Sequence, residues 1–369
     1  MDWLRMTPPK SDEVRLVFFG PGYGESILVH VGNGIWVIVD SCLDDSRQPA
    51  ALGYLRSIGV DPSVAVKAII ASHWHDDHIK GMAAQLEVCQ SASFTLSSAL
   101  QNKEFVAFLV AHDNQPETKL DLGGTEMLKC LRLLRSAKRQ PRYAGVDRLV
   151  CVWEDGTLAH GQRVELLALS PSDAMYTDFM IRIGSLLSGG LTGKPKKRLV
   201  DPGKNDLSIA TLLTVGQSAI LLGADVEEHG KTAYGWSNIV ECRRGRNPKA
   251  KLYKVAHHGS IGAHLDEIWS EILIDGPLSV ITPWRLGGNQ LPTADDVARI
   301  CERSESVFLT GSQAESPKKR YERDVLKLVD HANVNLRSNI LKSGHVSVTL
   351  NGATGETAVV EIHGGAKKL

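Results

Sequence analysis

A dense polar cluster directly follows one of the buried strands that the sequence predicts. Residues 66–72 read VKAIIAS, an apolar and β-branched run that is typical of a strand buried on both faces. His73, His75, Asp77 and His78 come next, with the spacing H-x-H-x-D-H. Such side chains add little to a hydrophobic core, and a short loop at a strand end can direct them toward one point. The cluster therefore indicates a metal site, with an exposed polar turn as the alternative.

This spacing fits two metal ions better than one. His73 and His75 share one side of an extended segment, whereas Asp77 and His78 follow the turn. Neutral imidazole suits zinc and related first-row metals, and a carboxylate supplies charge that holds a dication. We expect two divalent ions, zinc in the first instance and manganese as the alternative.

Two later strands also end in polar residues of this kind. Asp225 closes the apolar run 218–225, and His257 and His258 close the run 251–258. An aspartate after a strand is more often the N-cap of a helix, and a His-His pair is more often on the surface. Because three polar clusters each follow a buried strand, we expect them to meet at one site.

The charge balance excludes a strong global field toward nucleic acid or membrane, since lysine plus arginine and aspartate plus glutamate are 42 each. Four short basic runs stand at 135–142, 194–198, 243–251 and 316–323. The six cysteines form no C-x-x-C pair, and the N-terminus has no apolar signal region. These features predict a cytoplasmic protein with reduced thiols and no membrane segment.

The pattern of apolar runs predicts an α/β fold in which two packed sheets carry helices on the outside. Predicted strands cover 14–20, 25–31, 35–41, 66–72, 163–170, 207–215, 218–225, 251–258, 278–283 and 306–310, and a hairpin closes the chain at 345–363. Predicted helices follow Gly81 and cover 99–112, 123–137, 226–241, 264–274 and 294–303, and residues 98–145 form a helical insertion. Residues 189–205, rich in Gly, Pro and Lys, are predicted to be a loop.

These motifs resemble those of the metallo-β-lactamase-fold hydrolases. More narrowly, the chain is similar to the branch that contains the hydrolase domain of the competence protein ComEC and phosphorylcholine esterase. The resemblance is carried by 22–28 (GYGESIL), Asp40, 73–78, 205–208 (NDLS), Asp225 and 254–260 (KVAHHGS). It implies an αββα sandwich over residues 1–369 as a single domain, with 98–145 inserted.

The resemblance also implies the ligands of the two metals. One ion would be held by His73 and His75, the other by Asp77, His78 and His258, with Asp225 bridging them. Strand alternation would direct the side chains of His257 and His258 to opposite faces. We therefore expect only His258 to bind metal.

The remaining positions are predicted to support catalysis. Asp77 and Asp225 would act through the metals, and His257 would contact the phosphate or donate a proton, with a purely structural imidazole as the alternative. Asp40 would orient a ligand histidine through its N–H. Two positions depart from the resemblance. Asn205 stands where a third-motif histidine is expected, which predicts support behind the site and a first ion that is either weakly held or recruited with the substrate. Leu291 replaces a histidine of the competence-type proteins, so the resemblance implies the metals more firmly than the substrate.

Three classes of function follow from this pattern. The first is a metal-dependent phosphodiesterase or nuclease, in which hydroxide formed on two metals attacks an anionic phosphoester, nucleic acid being one candidate. The second is a small-molecule hydrolase of an ester, lactone or choline-type phosphoester, for which Trp74, Trp236 and Trp284 could line a pocket or simply fill the core. The third is a non-catalytic or partner-regulated protein, which the departures at Asn205 and Leu291 permit. Whichever class applies, the insertion at 98–145 is a lid, a dimer contact or a partner site, and the sequence leaves these three open.

Overall fold

The computed structural model describes residues 6–20, 24–101, 105–106, 122–190, 205–286, 289–311 and 343–369. The strands among these residues are β1 (Glu13–Gly20), β2 (Ser26–Gly32), β3 (Ile35–Val39), β4 (Val66–Ile70), β5 (Ser93–Ser97), β6 (Arg142–Ala144), β7 (Arg148–Trp153), β8 (Val164–Ala168), β9 (Thr211–Val215), β10 (Ser218–Leu222), β11 (Ala250–Lys254), β12 (Leu273–Ile281), β13 (Trp284–Leu286), β14 (Asn289–Leu291), β15 (Ser306–Leu309), β16 (Gly344–Asn351), β17 (Thr357–Gly364) and β18 (Lys367–Lys368). The helices are α1 (Ala50–Ser57), α2 (Pro62–Ala65), α3 (Asp76–Ile79), α4 (Met82–Val88), α5 (Leu122–Ser136), α6 (Asp173–Gly190), α7 (Gly235–Arg243) and α8 (Ala294–Cys301).

The described strands form two large sheets and one small one. The first sheet has the order β17-β16-β1-β2-β3-β4-β5-β6, and the second has the order β18-β15-β12-β11-β10-β9-β8-β7. In the first sheet β3, β4, β5 and β6 run parallel, and in the second β10, β11, β12 and β15 do so. The remaining pairs within the two sheets are antiparallel, and β13 with β14 makes a separate hairpin.

The two sheets pack face to face, with helices on both outer faces. Strand β1 shows this arrangement through its alternation, since a strand directs successive side chains to opposite faces. Leu16 and Phe18 lie in the core between the sheets, whereas Val17 and Phe19 lie in the core beneath α1, α4 and α5. A third core joins the outer face of the second sheet to α7 and α8. The predicted α/β architecture, an αββα sandwich, is confirmed.

Most of the predicted elements are present with small changes at their ends. The Asn33–Gly34 hairpin joins β2 to β3, and both residues have the positive φ of 50° and 71° that suits a tight turn between twisted strands. The helices predicted after Gly81 and at 123–137 and 294–303 correspond to α4, α5 and α8.

Three predicted elements are partly wrong. The helix predicted over 226–241 begins only at Gly235, so Asp225 does not cap it. The helix predicted over 264–274 is reduced to a π-helical turn, Ile268–Ile272, before β12 begins. The strand predicted over 207–215 begins at Thr211, after a 3-10 turn at Asn205–Leu207.

The predicted insertion at 98–145 is not helical throughout. It begins with a 3-10 turn at Ser98–Gln101, and its last residues form β6, which extends the first sheet beside β5. Helix α5 packs against α4. Most of the helix predicted at 99–112 lies outside the described residues, which there are 99–101 and 105–106, and so does most of the loop predicted at 189–205. Along the part of the chain that is described, no helix has the length and apolar character needed to cross a bilayer.

A buried histidine in the first sheet predicts how the fold responds to acid. The Nδ1 atom of His30 lies 2.9 Å from the carbonyl oxygen of Glu13, and its Nε2 atom accepts a hydrogen bond of 3.0 Å from the Gly34 N–H. A proton added at Nε2 would remove the second bond. Burial lowers the pKa of His30 from 6.5 to about 4, against the opposing effect of the Glu13 bond.

Because the folded pKa of His30 is lower than the unfolded value, its neutral form stabilises the fold fully above pH 6.5 and progressively less down to pH 4. We expect this one group to lower the free energy of unfolding by about 2 kcal/mol between pH 7 and pH 5. Urea unfolding of wild type and of the His30→Gln variant at pH 7 and pH 5 measures this change in the free energy of unfolding. The variant should lose less stability than wild type over this interval, and equal losses would contradict the prediction.

Candidate metal centre

The polar side chains singled out by the sequence gather where four parallel strands end. Asp40 follows β3 and His73 follows the neighbouring strand β4 in the first sheet. Asp225 follows β10 and His258 follows the neighbouring strand β11 in the second sheet. Since parallel neighbours end at the same edge, each sheet brings two polar segments together, and the packing of the sheets brings the pairs to one site.

We name His73, His75 and Asp225 the first donor group. One ligand atom from each lies within 4.8 Å of those from the others. His73 Nε2 lies 3.1 Å from His75 Nδ1 and 3.8 Å from Asp225 Oδ2. His73 and Asp225 are buried and His75 is partly exposed, so this group borders the surface.

We name Asp77, His78, Asp225 and His258 the second donor group; all four are buried, and their ligand atoms also lie within 4.8 Å of one another. His78 Nε2 lies 3.2 Å from Asp225 Oδ1, and His258 Nε2 lies 3.1 Å from Asp77 Oδ2. Each imidazole thus directs Nε2 toward a carboxylate from a different part of the chain. The four residues enclose a space that a cation could share.

Asp225 belongs to both donor groups. Its Oδ1 faces His78, while its Oδ2 lies 3.8 Å from Nε2 of both His73 and His258. The structure therefore brings together the six residues that the sequence predicts as metal ligands and divides them into the two predicted sets. Their roles as ligands remain a prediction.

The chemistry of these residues fits divalent metal ions. His78 Nε2 and Asp225 Oδ1 are buried and lie 3.2 Å apart, but they are not aligned as a hydrogen bond, and neither has another hydrogen-bond partner in the described part of the chain. Buried polar atoms without partners are rare because each costs free energy to desolvate. A mixture of imidazole nitrogen and carboxylate oxygen is a donor set for zinc and related metals.

The electrostatics at the site couple the histidines to the carboxylates. Burial lowers the pKa of His73 well below its usual value, and the neighbouring His78 adds to this effect. Burial also acts to lower the pKa of His78, but the carboxylates of Asp225, Asp77 and Glu25 outweigh it and raise that pKa well above 6.5. The same attraction holds the pKa of Asp77 and of Asp225 below 3.8 despite burial. A positive charge is therefore stabilised at the centre of the second donor group.

Asp40 lies directly behind the second donor group. Its Oδ2 lies 2.9 Å from His78 Nδ1, and its two oxygens accept hydrogen bonds of 2.7 Å from the N–H and the hydroxyl of Ser72. His258 is oriented in a similar way, since its Nδ1 lies 3.0 Å from the carbonyl oxygen of Thr282. An acceptor at Nδ1 leaves Nε2 as the nitrogen that can bind metal, which is the role predicted for Asp40.

His257 lies outside both donor groups and contacts Glu227. Its Nδ1 lies 3.1 Å from Glu227 Oε1, and the same oxygen accepts a hydrogen bond of 2.8 Å from Asn205 Nδ2. Burial acts to lower the pKa of His257, but the nearby carboxylates of Glu227 and Asp225 outweigh burial and raise it above 6.5. Asn205, predicted to support the site, thus acts on His257 through Glu227, a residue that the sequence analysis missed.

The different directions of His257 and His258 have a different cause from the predicted one. Strand β11 ends at Lys254, so neither histidine lies on a strand and alternation along a strand does not apply. Both lie in the 3-10 turn Ala256–Gly259 with positive φ, 44° and 55°. Consecutive left-handed residues other than glycine are costly, and such strain is concentrated at functional sites.

Two buried charged residues at the site were also missed. Glu25, just before β2, and Lys254, at the end of β11, form an ion pair of 2.7 Å across the two sheets. The charge of Lys254 within the mainly apolar stretch 252–256 (LYKVA) was a signal for this residue. Nothing in the sequence points from there to Glu25, which lies far away in the chain.

The described basic runs do not gather at the site. Residues 243–251 precede β11 or begin it, whereas the histidines follow its other end. In the run 135–142, Arg139 donates to the carbonyl oxygens of Leu86 and Ala92, which is a structural role. The runs 194–198 and 316–323 lie outside the described residues.

The three tryptophans considered as pocket residues differ in their surroundings. Trp74 is buried between Phe105 and Phe179, and Trp236 is buried in the core under α7, so both fill the core. Trp284, on the hairpin of β13 and β14, is partly exposed and stacks on His258 with 6.2 Å between ring centroids. Its partner across the hairpin is Leu291.

A sequence model of the metallo-beta-lactamase superfamily matches residues 19–89, the stretch that contains Asp40 and 73–78. The match supports placement in that superfamily, whose members are mostly metal-dependent hydrolases. It does not distinguish the branch predicted from the sequence. A comparison with curated proteins gave no significant match.

Solved metallo-beta-lactamases give weak overall matches. The enzyme SMB-1, bound to 2-mercaptoethanesulfonate, is 14% identical with a TM-score of 0.35, and the match covers 70% of this chain and 82% of that one. MEM-A1, a subclass B3 enzyme from a soil metagenome library, is 12% identical with a TM-score of 0.36 and coverages of 70% and 84%. An enzyme from Cronobacter sakazakii with a HARLDQ motif is 13% identical with a TM-score of 0.33 and coverages of 64% and 73%.

Proposed function

We propose that the protein is a metal-dependent hydrolase that cleaves phosphoesters, with a phosphodiester as the preferred substrate. The observation that carries this proposal is the position of Asp225, which belongs to both donor groups and so can hold two ions side by side. Two neighbouring dications suit phosphoester cleavage because they stabilise the attacking and the leaving oxygen together.

Different residues of the chain would have different roles in binding the two ions. His73 and His75 would hold one ion, Asp77, His78 and His258 the other, and Asp225 both. When bound, the ions supply Lewis acidity and lower the pKa of a coordinated water. Asp40 keeps the metal-binding nitrogen of His78 directed inward.

His257 is the candidate for contact with the substrate. It lies outside both donor groups, its side chain is partly exposed, and Glu227 and Asn205 hold it in place. An imidazole fixed in this way beside a metal centre suits either a contact to a phosphate oxygen or proton donation to the leaving oxygen.

A second candidate is hydrolysis of a small ester, lactone or choline-type phosphoester. The partly exposed indole of Trp284, stacked on His258 and paired with Leu291, supports it because an aromatic and aliphatic wall suits a small, partly apolar ligand. The positions of the described basic runs away from the site also favour a substrate smaller than nucleic acid.

An activity screen separates the candidates. Zinc- and manganese-loaded protein is assayed on single- and double-stranded DNA and RNA, bis-p-nitrophenyl phosphate and p-nitrophenyl acetate. We expect turnover of the phosphodiester, and the Asp77→Asn variant should lower it about 10³-fold because a charged ligand is lost. Asp76→Asn makes the same chemical change one residue away, outside both donor groups, and should retain most activity.

Salt dependence distinguishes nucleic acid from small substrates. Cleavage of nucleic acid should weaken steeply with ionic strength, because binding a polyanion releases counterions, whereas turnover of a neutral ester should not. Hydrolysis of the acetate alone would favour the second candidate. Binding of two ions without turnover of any of these substrates would count against the proposal and favour the non-catalytic class.

A further inference from the structure

An ion pair without exposure to solvent lies beneath the second donor group and joins the two sheets. The side chains of Lys254 and Glu25 are 0% and 1% exposed, and Lys254 Nζ lies 2.7 Å from Glu25 Oε2. Lys254 also donates a hydrogen bond of 3.0 Å to the carbonyl oxygen of Val255. Glu25 precedes β2 in the first sheet and Lys254 ends β11 in the second, four residues before the proposed ligand His258.

Glu25 contacts three of the four members of the second donor group. Its Oε2 lies 3.7 Å from His258 Nδ1, and its Oε1 lies 3.9 Å from His78 Nδ1. Its backbone N–H donates a hydrogen bond of 2.7 Å to the carbonyl oxygen of Asp77. These contacts are on the side of each imidazole opposite to Nε2, so Glu25 supports the group from behind.

Glu25 also belongs to a third set of donors. Ligand atoms of Glu25, Asp40 and His78 lie within 4.8 Å of one another, and all three residues are buried. A cation bound there would compete for His78 with the second donor group. The ammonium group of Lys254 already provides Glu25 with a positive charge.

A buried ion pair is retained for a reason other than stability in many proteins, because two apolar residues of similar size stabilise a fold equally well or better. Removal of one partner is costly, since it leaves an uncompensated buried charge. For this pair, the positions of the Glu25 carboxylate oxygens beside His78 and His258 indicate what the charges are needed for.

We propose that Glu25 and Lys254 form a positioning pair for the second donor group. Lys254 holds Glu25 in place and takes the position that a cation would otherwise occupy beside it. Glu25 in turn holds Asp77, His78 and His258 so that the ligand atoms face one point. This inference rests on the proposed function in one respect, that a metal ion binds the second donor group.

The direction in which one mutation changes the metal affinity distinguishes a positioning role from a purely electrostatic one. Loss of the Lys254 charge in Lys254→Met would by itself raise the affinity for a dication, because a neighbouring positive charge is removed. A positioning role predicts the opposite, a decrease of about 10–100-fold, as is typical when groups that orient metal ligands are lost. Glu25→Gln should also decrease the affinity, because it leaves the Lys254 charge buried and unpaired.

The experiment measures zinc affinity by competition with a chromophoric chelator in wild type, both single variants and the Glu25→Gln/Lys254→Met double variant. The visible spectrum of the cobalt-substituted proteins reports the coordination geometry, and circular dichroism restricts the comparison to folded protein. We expect weaker binding and an altered cobalt spectrum in each single variant. In the double variant we expect a loss close to that of one single variant, because either change alone already breaks the pair.

Wild-type or higher zinc affinity in folded Lys254→Met would overturn the proposal, as would a double variant whose losses are the sum of the single ones. If Lys254→Met does not fold, Glu25→Gln and the double variant still decide: similar losses support the positioning role, whereas recovery of affinity in the double variant would overturn it. Wild type that binds zinc but cleaves no substrate would contradict the proposed function and leave this test intact. Wild type that binds no zinc would contradict both.

Discussion

Replacement of Asp225 by asparagine is expected to lower kcat/KM for a phosphodiester by about 10³-fold or more, which corresponds to the loss of several kcal/mol of transition-state stabilisation. The physical reason is that Asp225 faces His78 with one oxygen and His73 and His258 with the other. Asparagine keeps the shape but removes the charge, so both donor groups lose their shared anion. Steady-state kinetics with zinc in excess, together with zinc content after gel filtration, measures the effect.

The matched control is Asp147→Asn. Asp147 is also an aspartate with a cationic partner, Arg246, but this pair is exposed and lies outside both donor groups. Exposed ion pairs contribute about 1 kcal/mol or less, so this variant should keep wild-type kinetics and zinc content. An Asp225→Asn variant with nearly wild-type activity would contradict the shared role of Asp225.

The two donor groups are expected to bind zinc with unequal affinity. The second group offers four buried residues, whereas the first offers three, one of which is partly exposed. Asn205, at the position of the expected third histidine, directs its Nδ2 to Glu227. We therefore expect about one tightly bound ion per chain after dialysis and a second ion that binds at least about tenfold more weakly, a difference of about 1.4 kcal/mol.

Calorimetric zinc titration of two variants assigns the tight and the weak binding phase to the two donor groups. His258→Ala should remove the tight phase, because it takes a nitrogen ligand from the second donor group. His75→Ala should remove the weak phase and leave the tight one, since His75 belongs to the first donor group alone. Two equal phases in wild type, or loss of the tight phase in His75→Ala, would contradict the assignment.

The helices and strands that could be predicted from the sequence are those whose formation depends on neighbouring residues in the chain. Continuous apolar runs such as 16–19 in β1 and 68–70 in β4 are buried on both faces, so composition and length alone indicate them. The start of α7 could not be predicted in this way. Glu228 accepts hydrogen bonds from the N–H and the hydroxyl of Ser237, which fixes the first turn of a helix nine residues later, after a loop that contains Gly230.

The same distinction between local and long-range causes applies to the residues of the candidate site. His73, His75, Asp77 and His78 are adjacent in the chain, so their spacing carries the signal. The opposed directions of His257 and His258 depend on a left-handed turn, which a pair of histidines does not indicate. The contacts from Glu227 to His257 and from Glu25 to Lys254 are made only when the strands are assembled, so no pattern within a single segment contains them.

The most direct test of the two-metal centre is anomalous diffraction at the zinc absorption edge from crystals of zinc-loaded protein. The account predicts two peaks per chain on either side of the Asp225 carboxylate, one beside His73 and His75 and the other beside Asp77, His78 and His258. Zinc peaks only at other sites, or a peak between Glu25, Asp40 and His78 in place of these two, would contradict it.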